Sequence, residues 1–466
     1  MNGNTTKPFG AVAALAICLD IDGHEMTVGT LAWSRRVRRA VFEYHPAFLA
    51  SGHNLSPYNL GLNPAAITAP SSPFEGVHGL FADSLPDGWG RHLTDRKLAT
   101  LGIDHRSLTP VDRLSLVGTR GVGALTYRPD AFFDAPGHGL AQIGLDMLAT
   151  QVRNIQGNGG DQSENARIEL DRLQAMNGGS SGARPKIMAF ASSSGALFTR
   201  GDARDPQWLI KFPAREDDPA IGAIEAAYAA MASEGGVAMA ETHLFRTSNG
   251  DPAMPGYFGT RRFDRVEGAR ILIHSVAGLA HADHRIPSFS YESLLVMTRQ
   301  MTLDQRQVEE QFRRAVFNVL ASNRDDHTKN HAFLYNAPAR AWKLTPAYDL
   351  TPSAGMGGEH ALTIAGKGTG ITRADLLTLA AGARISTAPA NEMIDKIAVS
   401  ISRWPVHAAA SGVPARAISA TGHLLSARSL SPGPLKNQST AMPMAIPHER
   451  TAKQQILKTM PTDIVD

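Results

Sequence analysis

The chain contains 466 residues, of which 43% are hydrophobic and 19% charged, and its formal net charge is +3. Glycine and proline together make up about 15% of the residues, well below the level typical of disordered or collagen-like chains. The length predicts two or three globular domains. The small net charge argues against a dedicated nucleic-acid-binding protein.

Cysteine usage and hydropathy indicate the expected compartment. Cys18 is the only cysteine, so the chain cannot form an internal disulfide, which is typical of proteins in a reducing cytosol. No apolar run approaches the ~20 residues that a membrane span needs, and the N-terminus MNGNTTKPFG lacks the pattern of a signal peptide. We expect a cytoplasmic protein.

Residues 1–130 are expected to form a β-rich N-terminal subdomain. The segments 25–33 and 39–49 show the alternating, β-branched and aromatic character of strands, and 117–127 is interpreted as a glycine-punctuated strand pair. Between them, the segment 81–102 begins with a turn at Pro86-Asp87-Gly88 and continues with helical spacing.

Residues 131–300 are predicted to form a second region, and a flexible glycine-rich connection is expected at 157–165. Four elements are expected to follow it: a Gly/Ser loop leading into a strand at 176–190, a strand at 207–214, an alanine-rich helix at 220–236 and a hairpin at 260–274 that turns at Glu267-Gly268.

Residues 301–426 are predicted to be mostly helical. An apolar stripe recurs every four residues at Val308, Phe312, Val316 and Leu320, and two short paired strands, HAFLY and AWKL, follow. Residues 427–466 are rich in proline and polar residues without a sustained period, and they are predicted to be a disordered tail.

The strongest chemical signal is NRDDHTKN, after the apolar helix. Asp325 precedes Asn330 by five positions, which is the spacing of a kinase catalytic loop. In such a loop the Asp accepts the proton of a substrate hydroxyl and the Asn ligates Mg²⁺. Asp349 ends a later strand and takes the place of the second magnesium ligand. Lys211 and Glu225 are candidates for the ion pair that positions phosphates.

Each of these signals is weak alone. A D-x4-N spacing is common, and a strand lysine is usually a surface residue whose stem lies on apolar neighbours. Their order along the chain is much harder to produce by chance: a Gly/Ser loop, a strand lysine, a helix glutamate, a hairpin, a catalytic loop and a strand-end Asp. That order favours a kinase.

These residues also resemble those of the HipA toxin kinases. The matching stretches occur in family order over about residues 20–425: FADSLPDGWG (81–90), GGSSGARPK (178–186), WLIKF (208–212), RRFDR (261–265), NRDDHTKN with the following HAFL (323–334), and LTPAYDL (344–350). The resemblance implies an α+β fold, with a small β-rich N-terminal subdomain on a protein-kinase-like two-lobed core and a mostly helical C-terminal lobe.

The resemblance also implies an activity and partners. Members of the family are serine/threonine protein kinases that use ATP and Mg²⁺ and act as the toxin of a toxin–antitoxin pair. The implied substrate is a translation component such as an aminoacyl-tRNA synthetase. The implied partner is a HipB-like antitoxin, through which any contact with DNA would be made.

By the same resemblance, Asp325 is the catalytic base, Asn330 and Asp349 are the magnesium ligands, and Lys211 binds the ATP phosphates. The other residues expected at the ATP site are the phosphate-loop residues Ser181, Gly182, Ala183, Arg184, Pro185 and Lys186, the hinge residues Arg261, Arg262 and Phe263, and His327, Thr328, Lys329 and Tyr348. The family more often has an acidic residue in the place of Arg261, and the adenine contact is expected to be mainly through the backbone.

A regulatory serine is the main departure from the family. In the family a phosphate-loop serine can be autophosphorylated, which ejects the loop and silences the enzyme. Counted back from Lys186, that position is Gly179 here, and Ser180 and Ser181 follow it. Either serine is a candidate for autophosphorylation, and the alternatives are that both are only small loop residues or that the control is absent.

Two other functions compete with the kinase. His327 and His331 have the i, i+4 spacing that would place two ligands of a metal-dependent hydrolase on one helix face. The other is a kinase-like, non-catalytic subunit of a DNA-binding repressor complex, in which the basic cluster Arg35-Arg36-Val37-Arg38-Arg39 would contact phosphates. The competing and favoured interpretation of this cluster is a solvated strand-and-turn face. The intact set of Asp325, Asn330, Asp349 and Lys211 speaks against a dead enzyme.

Overall fold

A computed structural model describes residues 11–21, 23–131, 141–157, 163–177, 182–192 and 194–426. Its N-terminal part contains an antiparallel five-stranded sheet in the order β4-β3-β2-β1-β5. The strands are β1 (Ala14–Ile21), β2 (His24–Ser34), β3 (Arg39–Tyr44), β4 (Ile67–Thr68) and β5 (Leu125–Arg128). Four helices accompany them: α1 (Pro46–Ser51), α2 (Gly79–Ala82), α3 (Gly88–Thr100) and α4 (Pro110–Val117). The strand at 25–33 and the helix within 81–102 are confirmed.

One strand prediction in this part is right only in its first half, and another is wrong. The segment 39–49 is a strand only to Tyr44, because Pro46 starts helix α1 and the His45 side chain accepts a hydrogen bond from the Ala47 N–H. The segment 117–127 is not a strand pair. Its main chain is instead used by distant side chains, since the Gly123 N–H donates to Asp264 at 2.8 Å and its carbonyl accepts from Arg265 at 2.9 Å.

The middle part is built on a second antiparallel sheet, in the order β7-β6-β8-β10-β9. It contains β6 (Lys186–Ala191), β7 (Leu197–Phe198), β8 (Gln207–Lys211), β9 (Thr242–Arg246) and β10 (Gly256–Arg261). Three helices belong to the same region: α5 (Leu145–Gly157), α6 (Glu164–Asn177) and α7 (Ile221–Glu234). The strand at 207–214 and the alanine-rich helix are confirmed. Most of the predicted connection at 157–165 lies outside the described residues.

A shared core joins this sheet to the N-terminal part. Its buried side chains come from α3, from the sheet and from the two helices α5 and α6: Trp89, Leu93, Leu148, Val152, Leu173, Ile187 and Ile210. Because α3 contributes to this core, the turn that begins it lies against the loop that leads into β6.

The last described part is mostly helical, as predicted. Its helices are α8 (Val276–Ala280), α9 (Tyr291–Thr302), α10 (Gln305–Leu320), α11 (Arg373–Gly382), α12 (Thr387–Ser402), α13 (Trp404–Ser411) and α14 (Ala415–Ser426). Short strands accompany them: β11 (Arg265–Val266), β12 (Ala269–Arg270), β13 (Leu272–Ser275), β14 (Phe289–Ser290), β15 (Ala332–Asn336), β16 (Ala341–Leu344) and β17 (Leu362–Thr363). The turn at Glu267-Gly268, the β15–β16 pair and the buried stripe of α10 are confirmed. The hairpin predicted at 260–274 is limited to 265–270, because β13 pairs with β15 instead.

A buried polar network ties the N-terminal subdomain to β13. Asp83 accepts hydrogen bonds from the Ser275 N–H and hydroxyl and lies 2.6 Å from His274 Nδ1, while Ser56 contacts the other ring nitrogen at 2.9 Å. Ser56 and His274 are buried, so this Ser-His-Asp arrangement stabilises an internal contact and is closed to a substrate. Within the described residues, no helix combines the length and the apolar character that crossing a membrane requires.

Candidate active site

Three charged groups that lie far apart in the sequence meet at the end of β8. The Lys211 ammonium lies 2.7 Å from the Glu225 carboxylate on α7 and 2.5 Å from the Asp349 carboxylate. The Glu225 side chain is only 2% exposed, so the ion pair is held rigidly by the packing of α7 on the sheet. The sequence predicted the Lys211–Glu225 pair, and the contact of Lys211 with Asp349 adds a second partner.

The electrostatic balance keeps Lys211 and Asp349 charged. Burial alone would lower the pKa of Lys211, but the carboxylates of Asp349 and Glu225 outweigh it and raise that pKa. Burial would likewise raise the pKa of Asp349, yet the neighbouring Lys211 and Lys186 hold it well below its usual range. Asp349 is therefore an ionised carboxylate at neutral pH.

Two more cations from the predicted phosphate loop join this cluster. Arg184 forms ion pairs with Glu225 at 2.8 Å and with Asp217 at 3.1 Å. Lys186, the first residue of β6, is paired in the sheet with Lys211, and burial lowers its pKa to about 8. Lys211, Arg184 and Lys186 thus concentrate positive charge where phosphates would be bound. Ser180 and Ser181, the candidates for autophosphorylation, lie outside the described residues.

The phosphate loop resumes at Gly182, which has a positive φ of 101°. This backbone conformation favours glycine, and a Cβ at this position would also displace the Lys186 ammonium. Ala183 and Pro185 follow in the loop, and the Pro185 carbonyl accepts a hydrogen bond from the Phe212 N–H at 2.8 Å. That contact fixes the loop to the end of β8.

The catalytic loop directs its two adjacent carboxylates to opposite sides. The Asp325 side chain is 57% exposed. Asp326 is fully buried and accepts hydrogen bonds from Tyr291, from His360 and from the backbone N–H groups of Ala361 and Leu362. Asp325 is therefore accessible to a substrate, whereas Asp326 fastens the loop to the helical lobe.

Internal hydrogen bonds set the shape of this loop. The Asn330 side-chain amide donates to the Asp325 carbonyl at 2.8 Å, and Tyr348 donates to the Lys329 carbonyl at 2.8 Å. His327 Nε2 lies 3.7 Å from Asp325, and Thr328, which is buried, starts the single 3₁₀ turn that ends at Asn330. The bond made by Asn330 uses its N–H, which leaves its oxygen as the acceptor.

Arg261, Arg262 and Phe263, the predicted hinge, have different surroundings. Arg261 forms a surface ion pair with Glu241, whereas the buried Arg262 side chain pairs with Asp264 at 2.6 Å. The N–H groups of both arginines donate to main-chain carbonyls within the sheet region, at Glu241 and Gln207. A backbone contact with adenine would therefore fall to their carbonyls or to Phe263. The Phe263 ring lies 5.7 Å from that of Tyr348.

Two polar residues at the site were missed in the sequence. Asp87 contacts both Gly182 and Lys329. Its turn was predicted to start a helix and lies in the family-matching stretch 81–90, but no role at the site was assigned to it. The His284 ring lies 5.2 Å from that of His327, and burial, with a contribution from Lys329, lowers its pKa to about 4, so it is neutral at pH 7. No local pattern marked His284, which follows helix α8 in an irregular segment.

The oxygen atoms of Asn330 and Asp349 are a suitable pair of ligands for Mg²⁺, which prefers carboxylate and carbonyl oxygens. The premise of the hydrolase alternative is wrong, because His327 and His331 do not share a helix face. His331 is extended and buried, with its ring 3.1 Å from Gln311. Across the described ranges, there is no group of three or more His, Cys, Asp or Glu residues that could hold a metal ion.

Comparison with known proteins identifies the class. Residues 19–128 match the model of the HipA N-terminal domain, and residues 178–404 match that of the HipA-like C-terminal domain. Together the two models span well over half of the chain, which therefore belongs to the HipA family. No curated protein matches the sequence significantly.

A solved structure supports the fold. The chain is similar to HipA of Shewanella oneidensis MR-1, solved in a toxin–antitoxin complex of HipA, HipB and operator DNA, with 16% identity and a TM-score of 0.62. That match covers 89% of this chain and 96% of the other. The Helicobacter pylori proinflammatory kinase CtkA gives 12% identity over 51% of this chain and 95% of its own, with a TM-score of 0.31, too low to support an argument. The fold is α+β, with a kinase-like two-lobed core, as predicted.

Proposed function

We propose that the chain is an ATP- and magnesium-dependent serine/threonine protein kinase that acts as the toxin of a toxin–antitoxin pair. The observation that carries the kinase activity is the meeting of Lys211 with both Glu225 and Asp349, beside a catalytic loop that exposes Asp325. In protein kinases the lysine binds the phosphates and the glutamate positions the lysine. An Asp that follows the catalytic loop, corresponding here to Asp349, binds the metal ion.

The side chains have distinct roles in this proposal. Asp325 accepts a hydrogen bond from the substrate hydroxyl and then its proton. Lys211, with Arg184 and Lys186 beside it, binds the phosphates and orients the transferred group. Asn330 and Asp349 would hold Mg²⁺, which when bound neutralises phosphate charge. Asp326 contributes by fixing the loop that presents Asp325.

The substrate and partners rest on family membership. We propose a translation component, such as an aminoacyl-tRNA synthetase, as the phosphorylated protein. The similar Shewanella HipA was solved with HipB and operator DNA, which supports a HipB-like antitoxin as the partner here. Contact with DNA would then be made through that antitoxin.

Phosphotransfer is tested by incubating the purified protein with labelled ATP, Mg²⁺ and a cell lysate. We expect labelled bands with the wild type and their loss in Asp325→Asn. Asp395→Asn is the matched control, since this carboxylate on α12 is similarly exposed, at 62%, and pairs only with Arg373 in the described structure. Equal labelling by wild type and Asp325→Asn, or no magnesium-dependent labelling by folded wild type, would contradict the proposal.

The toxin role has a separate test. Expression of the wild type should arrest growth, expression of Asp325→Asn should not, and co-expression of a HipB-like protein should relieve the arrest. Harmless expression of a wild type with demonstrated phosphotransfer would refute the toxin role and leave the kinase role standing.

A further inference from the structure

Asp87 occupies the N-cap position of helix α3, but its side chain does not cap that helix. An aspartate at this position normally accepts a hydrogen bond from the first turn of its own helix. Here one carboxylate oxygen accepts from the Gly182 N–H in the phosphate loop, and the other lies 2.5 Å from the Lys329 ammonium in the catalytic loop. The carboxylate thus joins two segments that flank the candidate ATP site.

The backbone around Asp87 is built for this approach. The Trp89 N–H donates to the Gly182 carbonyl at 3.3 Å, so the turn and the phosphate loop are also joined by main-chain contact. A Cβ on Gly88 would lie 2.6 Å from Ala183 Cα and 2.7 Å from the Gly182 carbonyl oxygen. Only glycine allows these two segments of the backbone to come this close, and Gly88 also has a positive φ of 43°.

Lys329 is held at both ends. Asp87 pairs with its ammonium, and Tyr348 donates to its carbonyl. Lys329 directly precedes Asn330 and follows Asp325 by four positions, so a change at its side chain is passed to the loop that carries the base and a metal ligand. The Lys329 side chain is 16% exposed and that of Asp87 29%, so the ion pair is only partly screened by water.

We propose that Asp87 is a positioning residue of the phosphotransfer site, by which the N-terminal subdomain sets the phosphate loop and the catalytic loop relative to each other. The inference rests on the proposed kinase function. It makes the N-terminal subdomain part of the active site. Because misplacement by about 1 Å can cost about 10²-fold in rate, loss of this link should reduce kcat/KM for ATP by about 10- to 100-fold.

The test measures KM for ATP and kcat separately in wild type, Asp87→Asn and the matched control Asp104→Asn. Asp104 lies in the same subdomain, and within the described structure its exposed carboxylate contacts only Arg106, two residues further on. We expect Asp87→Asn to raise KM for ATP and lower kcat, with the control unchanged. A purely structural role would reduce the folded fraction, and hence the apparent kcat, but leave KM unchanged.

A second pair of variants approaches the contact from the catalytic loop and serves if Asp87→Asn does not fold. Lys329→Arg keeps the positive charge that pairs with Asp87, so it should raise KM for ATP less than Lys329→Met does, and Lys329→Met should be at least as impaired as Asp87→Asn. The double variant Asp87→Asn/Lys329→Met should be no worse than either single one, because both remove the same contact.

Three results would overturn the inference. An unchanged KM in folded Asp87→Asn would show that the contact is only structural. A lower KM would show that Asp87 competes with the phosphates for their donors. Equal KM values in Lys329→Arg and Lys329→Met would show that the ion pair is unimportant. All three results can be obtained only with an active wild type. They are therefore distinct from failure of the kinase proposal, in which the wild type itself neither binds ATP nor transfers phosphate. In that case both proposals are refuted.

Discussion

Asp325 and Asp326 are adjacent, yet the structure predicts opposite consequences for the same substitution at the two positions. The Asp325 side chain is 57% exposed, and its carboxylate makes no close hydrogen bond within the described structure. Exposed positions of this kind change stability by about 0.5 kcal/mol or less. Asp325→Asn should therefore fold normally, while loss of the base should reduce kcat by about 10²- to 10⁴-fold.

Asp326→Asn should act on stability. Its buried carboxylate accepts from Tyr291 at 2.7 Å and from the His360 ring at 3.0 Å, both through the same oxygen. Hydrogen bonds to charged groups contribute about 1.5–3 kcal/mol each, so placing an NH₂ group there should cost about 3 kcal/mol. The compact unit of the chain extends from Met1 to Ser429. With an unfolding entropy of about 2.1 cal/mol/K per residue, a unit of that length should lose roughly 3–4 °C in melting temperature.

The assay combines thermal unfolding with phosphotransfer, normalised to the folded fraction below the transition. Asp395→Asn on α12 provides the control for a generic loss of one carboxylate. The reasoning would be refuted if Asp326→Asn melted like the wild type but lost activity as completely as Asp325→Asn, because Asp326 would then be acting in the chemistry. Wild-type kcat in Asp325→Asn would refute the assignment of the base.

Three further predictions concern the cations, the metal ligand and the C-terminus. Burial lowers the pKa of Lys186 to about 8, so this side chain loses its charge as pH rises from 7 to 9. The dissociation constant of ATP should therefore rise about tenfold over that range, because a charge-assisted hydrogen bond worth about 1.5 kcal/mol is lost. In Lys186→Arg, which stays charged, the same titration should be nearly flat, and an equal slope would contradict the assignment. At 100 times its dissociation constant, Mg-ATP should stabilise the wild type by about 2.7 kcal/mol, or roughly 3 °C, and Asp349→Ala should lose most of this shift in a thermal-shift measurement; an undiminished shift would show that Asp349 is not a ligand. A chain ending at Ser426 should keep its melting temperature within about 2 °C and retain phosphotransfer. The candidate site residues all precede residue 350, and residues 427–466 have a composition that buries little apolar surface. Aggregation of the shortened chain would show that the tail is structural.

Local patterns in the sequence predicted the elements that carry the site. The helix with Glu225, the strand with Lys211, the hairpin at Glu267-Gly268 and the stripe of α10 were all confirmed. Each depends on the spacing of apolar residues or on a turn within about ten positions. Such preferences can be predicted from the local sequence, because the residues that determine them lie within the element itself. Helices α5 and α6 were missed, although Leu148, Val152 and Ile155 of α5 have helical spacing.

The motif order also determined the family and the kinase-like core before any contact was known. It could not determine which way a side chain points. The Arg262 side chain, expected at the hinge, is an internal ion-pair partner of Asp264, and the two carboxylates of Asp325-Asp326 separate to solvent and core. Those directions depend on which distant donors surround each residue after packing.

The contact of Asp87 with Lys329 is the clearest example of a pairing that the sequence could not predict. The two residues are 242 positions apart, and nothing near either one marks the other. They meet because α3 shares a core with the middle sheet while Asp326 fastens the catalytic loop to the helical lobe. The sequence by itself determined the parts and their order. Only the tertiary structure decided which charges face each other, because that pairing depends on the burial of side chains drawn from all three regions of the chain.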